Sequence, residues 1–196
     1  MRTFLAVMDE SAELQLWEHA LHDDGEAFGR LFDMHRARVY RRALGLLENR
    51  HDAEDATAVA FFELWRKRRS LTPVNGSVLP WLLVTVMNAS RNLRRSTARY
   101  EKFLRAAPRR LPPDVPDAEP METRKRLAME LRKLTPIDGA LLVLTVLEDL
   151  PIADAAKVVG LKPAAARVRL HRARARLRES LFDLDPRPRP AEGVCR

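Results

Sequence analysis

The sequence predicts an all-α chain, two small helical domains joined by a proline-rich linker. Three observations predict it. Ala, Leu, Arg and Glu dominate and glycine is scarce, with seven residues, a mix that favours helices over sheets. Apolar residues recur at helical spacing on both sides of residue 106. Between them, residues 106–120 read AAPRRLPPDVPDAEP, five prolines in fifteen positions, a density at which no helix continues.

The chain therefore divides into five parts. Residues 1–24 are a helical-looking, acidic extension to which no role is assigned. Residues 25–105 form a first helical domain, 106–120 a semi-stiff tether, and 121–184 a second helical domain. Residues 185–196, opened by a proline cluster from Asp185 to Pro190, form a loose tail.

In the first domain Phe28, Leu31, Phe32, His35, Val39, Leu46 and Leu47 fall at helical spacing, and Asn49 to Asp52 break the pattern. The next helix carries Asp52, Glu54 and Asp55 in its opening turn, where acids complement the helix dipole, and runs to Trp65. A loop from Thr72 to Ser77 contains Pro73, Asn75 and Gly76. A further helix begins at Trp81, Leu82 and Val86 and turns basic towards Arg99.

The second domain has sharper punctuation. Thr135 has the position of an N-cap, with Pro136 at the first helical position and Asp138 three residues after the cap. Ile137, Ala140, Leu141, Leu144 and Leu147 make that helix a buried one, and Leu150-Pro151 ends it. A short helix from Ile152 to Val159 stops at Gly160. Lys162-Pro163 opens a long basic helix that reaches about Leu181.

Short helix, glycine-containing turn and second helix make a helix-turn-helix. Ala156 is small enough for a close crossing, and Gly160 takes the positive φ of the turn. In the second helix Ala166, Leu170, Ala173 and Leu177 share the inward face. Ala164, Ala165, Val168, His171, Arg172 and Ala175 point away from it, flanked by Arg167, Arg169 and Arg174. From Lys162 to Arg178 there are seven Lys or Arg and no acid. Such a helix fits a DNA major groove, its arginines reaching phosphates; the competing reading is a solvated arginine-rich surface helix. Neutralising roughly four to six phosphates gives a slope of log affinity against log salt of about −4 to −5.

A second cluster, Asn88, Arg91, Asn92, Arg94 and Arg95, combines amides and guanidiniums suited to base edges and phosphates. The loop before it, Leu71 to Leu79, which includes Asn75, is a candidate pocket for an unstacked base. Taken alone, this segment reads equally as a surface helix with scattered Arg. Asp52, Glu54 and Asp55 read either as a docking patch for a basic partner or as ordinary dipole stabilisation.

Composition excludes other classes. Net charge is +8, from 35 Lys or Arg against 27 Asp or Glu, which points to nucleic acid or another anionic surface. The single cysteine, Cys195, permits no internal disulfide and no cysteine zinc cluster. The five histidines show no metal or triad spacing, no phosphate-binding glycine motif occurs, and no cofactor or enzymatic activity is expected. The apolar run Phe4 to Met8 is cut by Asp9 and Glu10, too short for a signal peptide, and Val78 to Met87 is too short to span a membrane. The expectation is a cytoplasmic protein without membrane contact.

Together these segments resemble the sigma-70 family, in its extracytoplasmic-function (ECF) subfamily. Leu31-Phe32-Asp33, Arg38-Val39-Tyr40, Asp52-Ala53-Glu54-Asp55, Phe61-Phe62-Glu63-Leu64-Trp65 and Pro80-Trp81-Leu82-Leu83 resemble its region 2. Asn88, Arg91-Asn92 and Arg94-Arg95 resemble its promoter-melting, −10-reading helix. Leu134-Thr135-Pro136, Gly160-Leu161 and the run Arg169 to Arg174 resemble region 4, which reads the −35 element. The likeness covers roughly residues 25–105 and 125–182. It implies that region 2 docks on core RNA polymerase and captures single-stranded −10 DNA, while region 4 places its helix in the −35 groove. It also implies an anti-sigma protein as a frequent regulator. Docking falls by this resemblance on Asp52, Glu54, Asp55, Ala58, Val59 and Phe62.

The chain departs from the family pattern in two places. After Asp55 the family usually has an apolar pair followed by Gln and an acid; here Ala56-Thr57-Ala58-Val59 stands instead, with Ala58 at the Gln position and Val59 at the acid position. Either core affinity is lower, or the contact shifts to Asp52, Glu54 and Asp55. Ala164-Ala165 also replaces a common Glu-Gly, so no −35 sequence carries over. Two other readings compete: a helix-turn-helix regulator acting without polymerase, and a decoy that occupies an anti-sigma protein.

Overall fold

Local chemistry sets the helix boundaries. In a computed structural model that describes residues 2–47, 49–105 and 129–181, with side chains from residue 12 to residue 99 and again from 129, the first domain holds four α-helices. These are α1 (Arg2–Leu21), α2 (Gly25–Leu44), α3 (Arg50–Lys67) and α4 (Leu79–Arg105), with a 3₁₀ turn at Arg68–Ser70. Asp24 caps α2 by accepting from the amides of Glu26 and Ala27 at 2.9 and 3.0 Å. Asn49 caps α3 through the His51 amide at 2.9 Å. The proline-rich tether and the tail lie outside the described residues.

The second domain holds α5 (Pro136–Val146), α6 (Ile152–Val158) and α7 (Pro163–Ser180), preceded by a helical piece at 129–133. Thr135 caps α5 as its sequence position requires: its hydroxyl accepts from the Asp138 amide at 3.2 Å and donates to the Asp138 carboxylate at 2.7 Å. Gly160, at φ +70°, ends α6. The Leu161 amide then reaches back to the Ala156 carbonyl and the Gly160 amide to that of Lys157, a Schellman closure. No strand is present among the described residues beyond one two-residue bridge, Val74 with Ser77.

Each domain has its own core. In the first, Leu31, Val39, Phe61, Leu64, Leu82 and Val86 are buried, each large side chain contributing about 2 kcal/mol. Phe28 meets Trp65 and Phe32 meets Phe61 edge to face, at 4.9 and 4.7 Å. Trp17 and Ala20 of α1 belong to this same core. A boundary at residue 24 therefore does not separate packing units: α1 is a wall of the first domain, not an appendage. Its helical pattern gave no sign of this, because Trp17 and Ala20 find their partners only in the folded chain.

In the second core Ala155, Ala156 and Ala166 are fully buried, and the absence of side chain beyond Cβ lets α6 and α7 cross closely. The two cores meet along α4, whose Val84 packs against the second one. Glu148, just after α5, forms ion pairs with Arg38 and, at 3.3 Å, with Arg42, both on α2.

Candidate nucleic-acid interface

The stripe expected to face inward on α7 does so: Ala166, Leu170 and Ala173 are buried and Leu177 half-buried. The structure places Lys162, Ala164, Ala165, Arg167, Val168, His171, Arg172 and Arg174 on the exposed surface of the same helix. Val168 is half exposed although apolar. An exposed apolar side chain among cations suits a thymine methyl group better than it suits water. Arg169 is the exception. Its Nε donates to Asp138 Oδ1 at 2.8 Å and its Nη2 to the Thr135 hydroxyl at 3.1 Å. In this arrangement Arg169 fastens α7 to the cap of α5, so its charge is already partnered inside the domain.

On α4, Asn88, Asn92 and Arg95 are exposed and, at spacings of four and three, share one face. Arg91 and Arg94 are half-buried beside them. Arg91 turns towards the second domain, donating to the Leu134 carbonyl at 3.4 Å. Its Nη1 is buried without a hydrogen-bond partner among the described residues. Burial, then the neighbouring Arg95 and Arg94 charges, lower its pKa from the ordinary guanidinium value.

The loop ahead of α4 is a tight hairpin. Val74 and Ser77 exchange two backbone hydrogen bonds at 3.0 and 3.1 Å. Asn75 and Gly76 between them both have positive φ, +53° and +74°, as a type I′ turn demands. Asn75 stands exposed at the tip. Beside it lies a cavity of about 590 Å³, walled by Leu71, Thr72, Pro73 and Trp81 on one side and by Lys157, Val158 and Gly160 of the helix-turn-helix on the other. Asp154 of α6 accepts from Lys157 Nζ at 2.8 Å, and its pKa is held down chiefly by Lys157 and further by the Asn75 amide.

On α3 the structure brings Asp52, Asp55, Val59 and Phe62 onto one stripe, at spacings of three, four and three, with Ala58 and Glu54 exposed alongside. Phe62 is 64% exposed and Val59 47%. Ala56 and Thr57, the other half of the departing segment, are core residues, the Thr57 hydroxyl donating to the Ala53 carbonyl at 2.7 Å. Polar-to-apolar change at Ala58 and Val59 thus alters an outward surface and leaves packing alone.

Sequence reasoning missed two features. One is the Glu148 pairing with Arg38 and Arg42. The other is a buried cluster in which Glu13 meets His35 and Ser77. Both join residues far apart in the chain and carry no local motif. Among the described residues no group of His, Cys, Asp and Glu is arranged to hold a metal, and no helix is long and apolar enough to cross a membrane.

Two helical modules, one a helix-turn-helix with a cationic outer face, the other an amide and guanidinium face beside a hairpin pocket of mixed polar and apolar lining, define a two-module DNA-binding protein. The sequence profile of Sigma-70 region 2 matches residues 31–100, and that of Sigma-70, region 4 matches residues 124–177. The RNA polymerase sigma factor CarQ of Myxococcus xanthus is 30% identical over 164 residues, 82% of this chain and 92% of that protein. The ECF RNA polymerase sigma factor SigE of Mycolicibacterium smegmatis is 32% identical over 158 residues, 77% of this chain and 60% of that protein. Among solved structures, CnrH in complex with the cytosolic domain of CnrY aligns at TM-score 0.59 and 26% identity, covering 89% of this chain and 99% of that one. The sigma factor RpoE in complex with the anti-sigma factor NepR, from Bartonella quintana, aligns at 0.53 and 19% identity, covering 79% and 96%, a likeness of fold. The chain belongs to the sigma-70 family, as a sigma factor of the ECF type. It is a promoter-specificity factor: it binds core RNA polymerase and directs initiation at promoter DNA.

Proposed function

We propose a division of labour among three surfaces of this factor. The outer face of α7, with Lys162, Ala164, Ala165, Arg167, Val168, His171, Arg172 and Arg174, reads the −35 element as duplex, and Arg169 acts mainly as a brace. The hairpin with Asn75 and the α4 face with Asn88, Asn92 and Arg95, assisted by Arg91 and Arg94, captures the −10 element as a single strand. The α3 stripe, with Asp52, Glu54, Asp55, Ala58, Val59 and Phe62, docks on core polymerase. Residues 106–120 tether the two DNA-reading modules. The protein acts in the cytoplasm and catalyses no reaction of its own.

The observation that carries the reading is the α3 stripe. An exposed Phe and Val flanked by carboxylates on a helix otherwise built into a core is a protein-binding surface, and a plain operator reader has no use for one. CnrH is described with a bound partner protein, and we extend a regulatory protein partner, an anti-sigma factor, to this chain.

The test is co-purification with core polymerase, comparing the native chain with F62A and with the triple variant R167A/R172A/R174A. F62A is expected to lose core, while the triple variant keeps core and loses promoter-duplex contact. A native chain that binds duplex DNA and never retains core establishes instead the helix-turn-helix regulator. A triple variant as active as the native chain establishes the decoy.

A further inference from the structure

Glu13 is an acid almost wholly removed from water, at 5% exposure, on a helix that no DNA or polymerase role has claimed. One of its oxygens, Oε1, accepts three hydrogen bonds. His35 Nε2 on α2 lies at 2.8 Å, the Ser77 hydroxyl at 2.9 Å and the Val78 backbone amide at 2.8 Å. His35 is itself 6% exposed. Burying a carboxylate and an imidazole is costly, and the cost is met here only because every donor is aimed at one acceptor.

The two loop donors sit where they matter. Ser77 closes the Asn75–Gly76 hairpin through its paired backbone bonds with Val74. Its hydroxyl, while donating to Glu13, accepts from the Leu79 amide at 3.1 Å and so caps the start of α4. Val78 is fully buried, and its carbonyl takes the first α4 bond, from the Leu82 amide. A carboxylate at the positive end of α4 also gains from the helix dipole. Glu13 thus grips both the base of the hairpin and the first turn of the helix that carries Asn88 and Arg95. Val78 adds apolar burial in the first core, and among the described residues Glu13 is the one side chain of α1, α2 or α3 that hydrogen-bonds this hairpin.

We propose that Glu13, held by His35, is the positioning residue of −10 strand capture: α1 fixes the height and tilt of the Asn75–Gly76 hairpin over α4. This rests on the reading of that hairpin as the strand-capturing loop. Glu13 touches no DNA. It acts through Ser77 and Val78, so its removal loosens the pocket and leaves the α3 docking stripe intact.

The test uses holoenzyme assembled from core polymerase and full-length variants. The probe is a fluorescein-labelled single-stranded oligonucleotide carrying the non-template strand of a promoter recovered from mapped transcript starts. E13A is expected to weaken probe binding about tenfold while core affinity stays within about twofold. E13Q, whose amide oxygen still accepts, recovers to within about threefold of native. S77A, which removes the Glu13 bond and the Leu79 cap together but spares the contact to His35 and the Val78 amide bond to Glu13, loses about threefold. V39A supplies a destabilised control in the same core, away from the loop.

Native binding by both E13A and S77A overturns the proposal. So does a V39A loss equal to that of E13A at matched thermal stability, since the effect is then one of general loosening. If E13A does not fold, S77A against V39A decides by the same comparison. N75A separates the layers: weakened N75A with native E13A and S77A removes the positioning role alone, and native N75A removes the hairpin reading and the positioning role with it.

Discussion

Arg169 Nε donates to Asp138 Oδ1 at 2.8 Å, joining α7 to the first turn of α5. Asp138 is 6% exposed and also closes the reciprocal cap with Thr135. Asp138→Ala therefore removes a buried acceptor from two donors and is expected to destabilise the second domain by about 1–3 kcal/mol. Thermal unfolding followed by circular dichroism checks it.

The same contact separates the arginines of α7. Arg167, Arg172 and Arg174 are exposed, so replacing any one with Ala is expected to reduce the slope of log affinity against log salt by about 0.9. R169A is expected to change the slope less and to lower the unfolding midpoint more. A salt titration of holoenzyme on promoter duplex, run beside the melts, distinguishes the two patterns.

Glu148 binds Arg38 and Arg42 across the two domains. The −35 and −10 elements are roughly 25 base pairs apart, about 85 Å of B-DNA at 3.4 Å per step. On the proposed division of labour, domains that touch along α4 do not reach both, and these contacts are expected to part when the factor engages a promoter. Glu148 is 8% exposed on its side chain and Arg42 24%, and cutting such a partly buried pair is expected to cost the closed arrangement on the order of 1–2 kcal/mol. E148A is expected to show a larger radius of gyration by small-angle scattering, with both domains still folded. Raised salt is expected to do the same to the native chain.

Phe62 is exposed in the free chain, so F62A is expected to leave stability within about 0.5 kcal/mol. Its core affinity is expected to fall tenfold or more, the signature of an anchor residue at an interface. Surface-plasmon titration against core polymerase gives the second number, and a urea melt the first.

Asp23 links the end of α1 to the 3₁₀ turn through Arg68 and, at 2.7 Å, Arg69. The Arg68 hydrogen bond leads, and with Arg69 it outweighs desolvation, so the carboxyl titrates below its ordinary 3.8. A depressed native pKa gives stability that is present above the unfolded value and lost as pH falls through the folded one. The unfolding midpoint of the first domain is expected to fall as pH drops below about 3.8, less steeply in D23N. Melts at a series of acidic pH values test the difference.

The parts legible from sequence are those whose chemistry is local. Thr135 with Asp138, and Gly160 between α6 and α7, lie within a turn of the atoms they serve, so residue type reveals the role. The α7 stripe was legible for the same reason: Ala166, Leu170 and Ala173 repeat at the period of the helix. Arg169 was placed with the DNA-facing arginines because its partner lies 31 positions earlier. Glu13 was invisible because it meets His35 at a separation of 22 and Ser77 at 64, and a single Glu on an acidic helix looks like any solvated residue. Arg91, identical in sequence context to its neighbours, is turned inward only by the approach of Leu134.

The most direct measurement is transcription from a genome-derived promoter library by core polymerase, with and without the purified chain. The expected result is a discrete set of new start sites that share two upstream elements and vanish with F62A. Start sites no different from those of core alone would contradict the assignment of promoter specificity to these two modules.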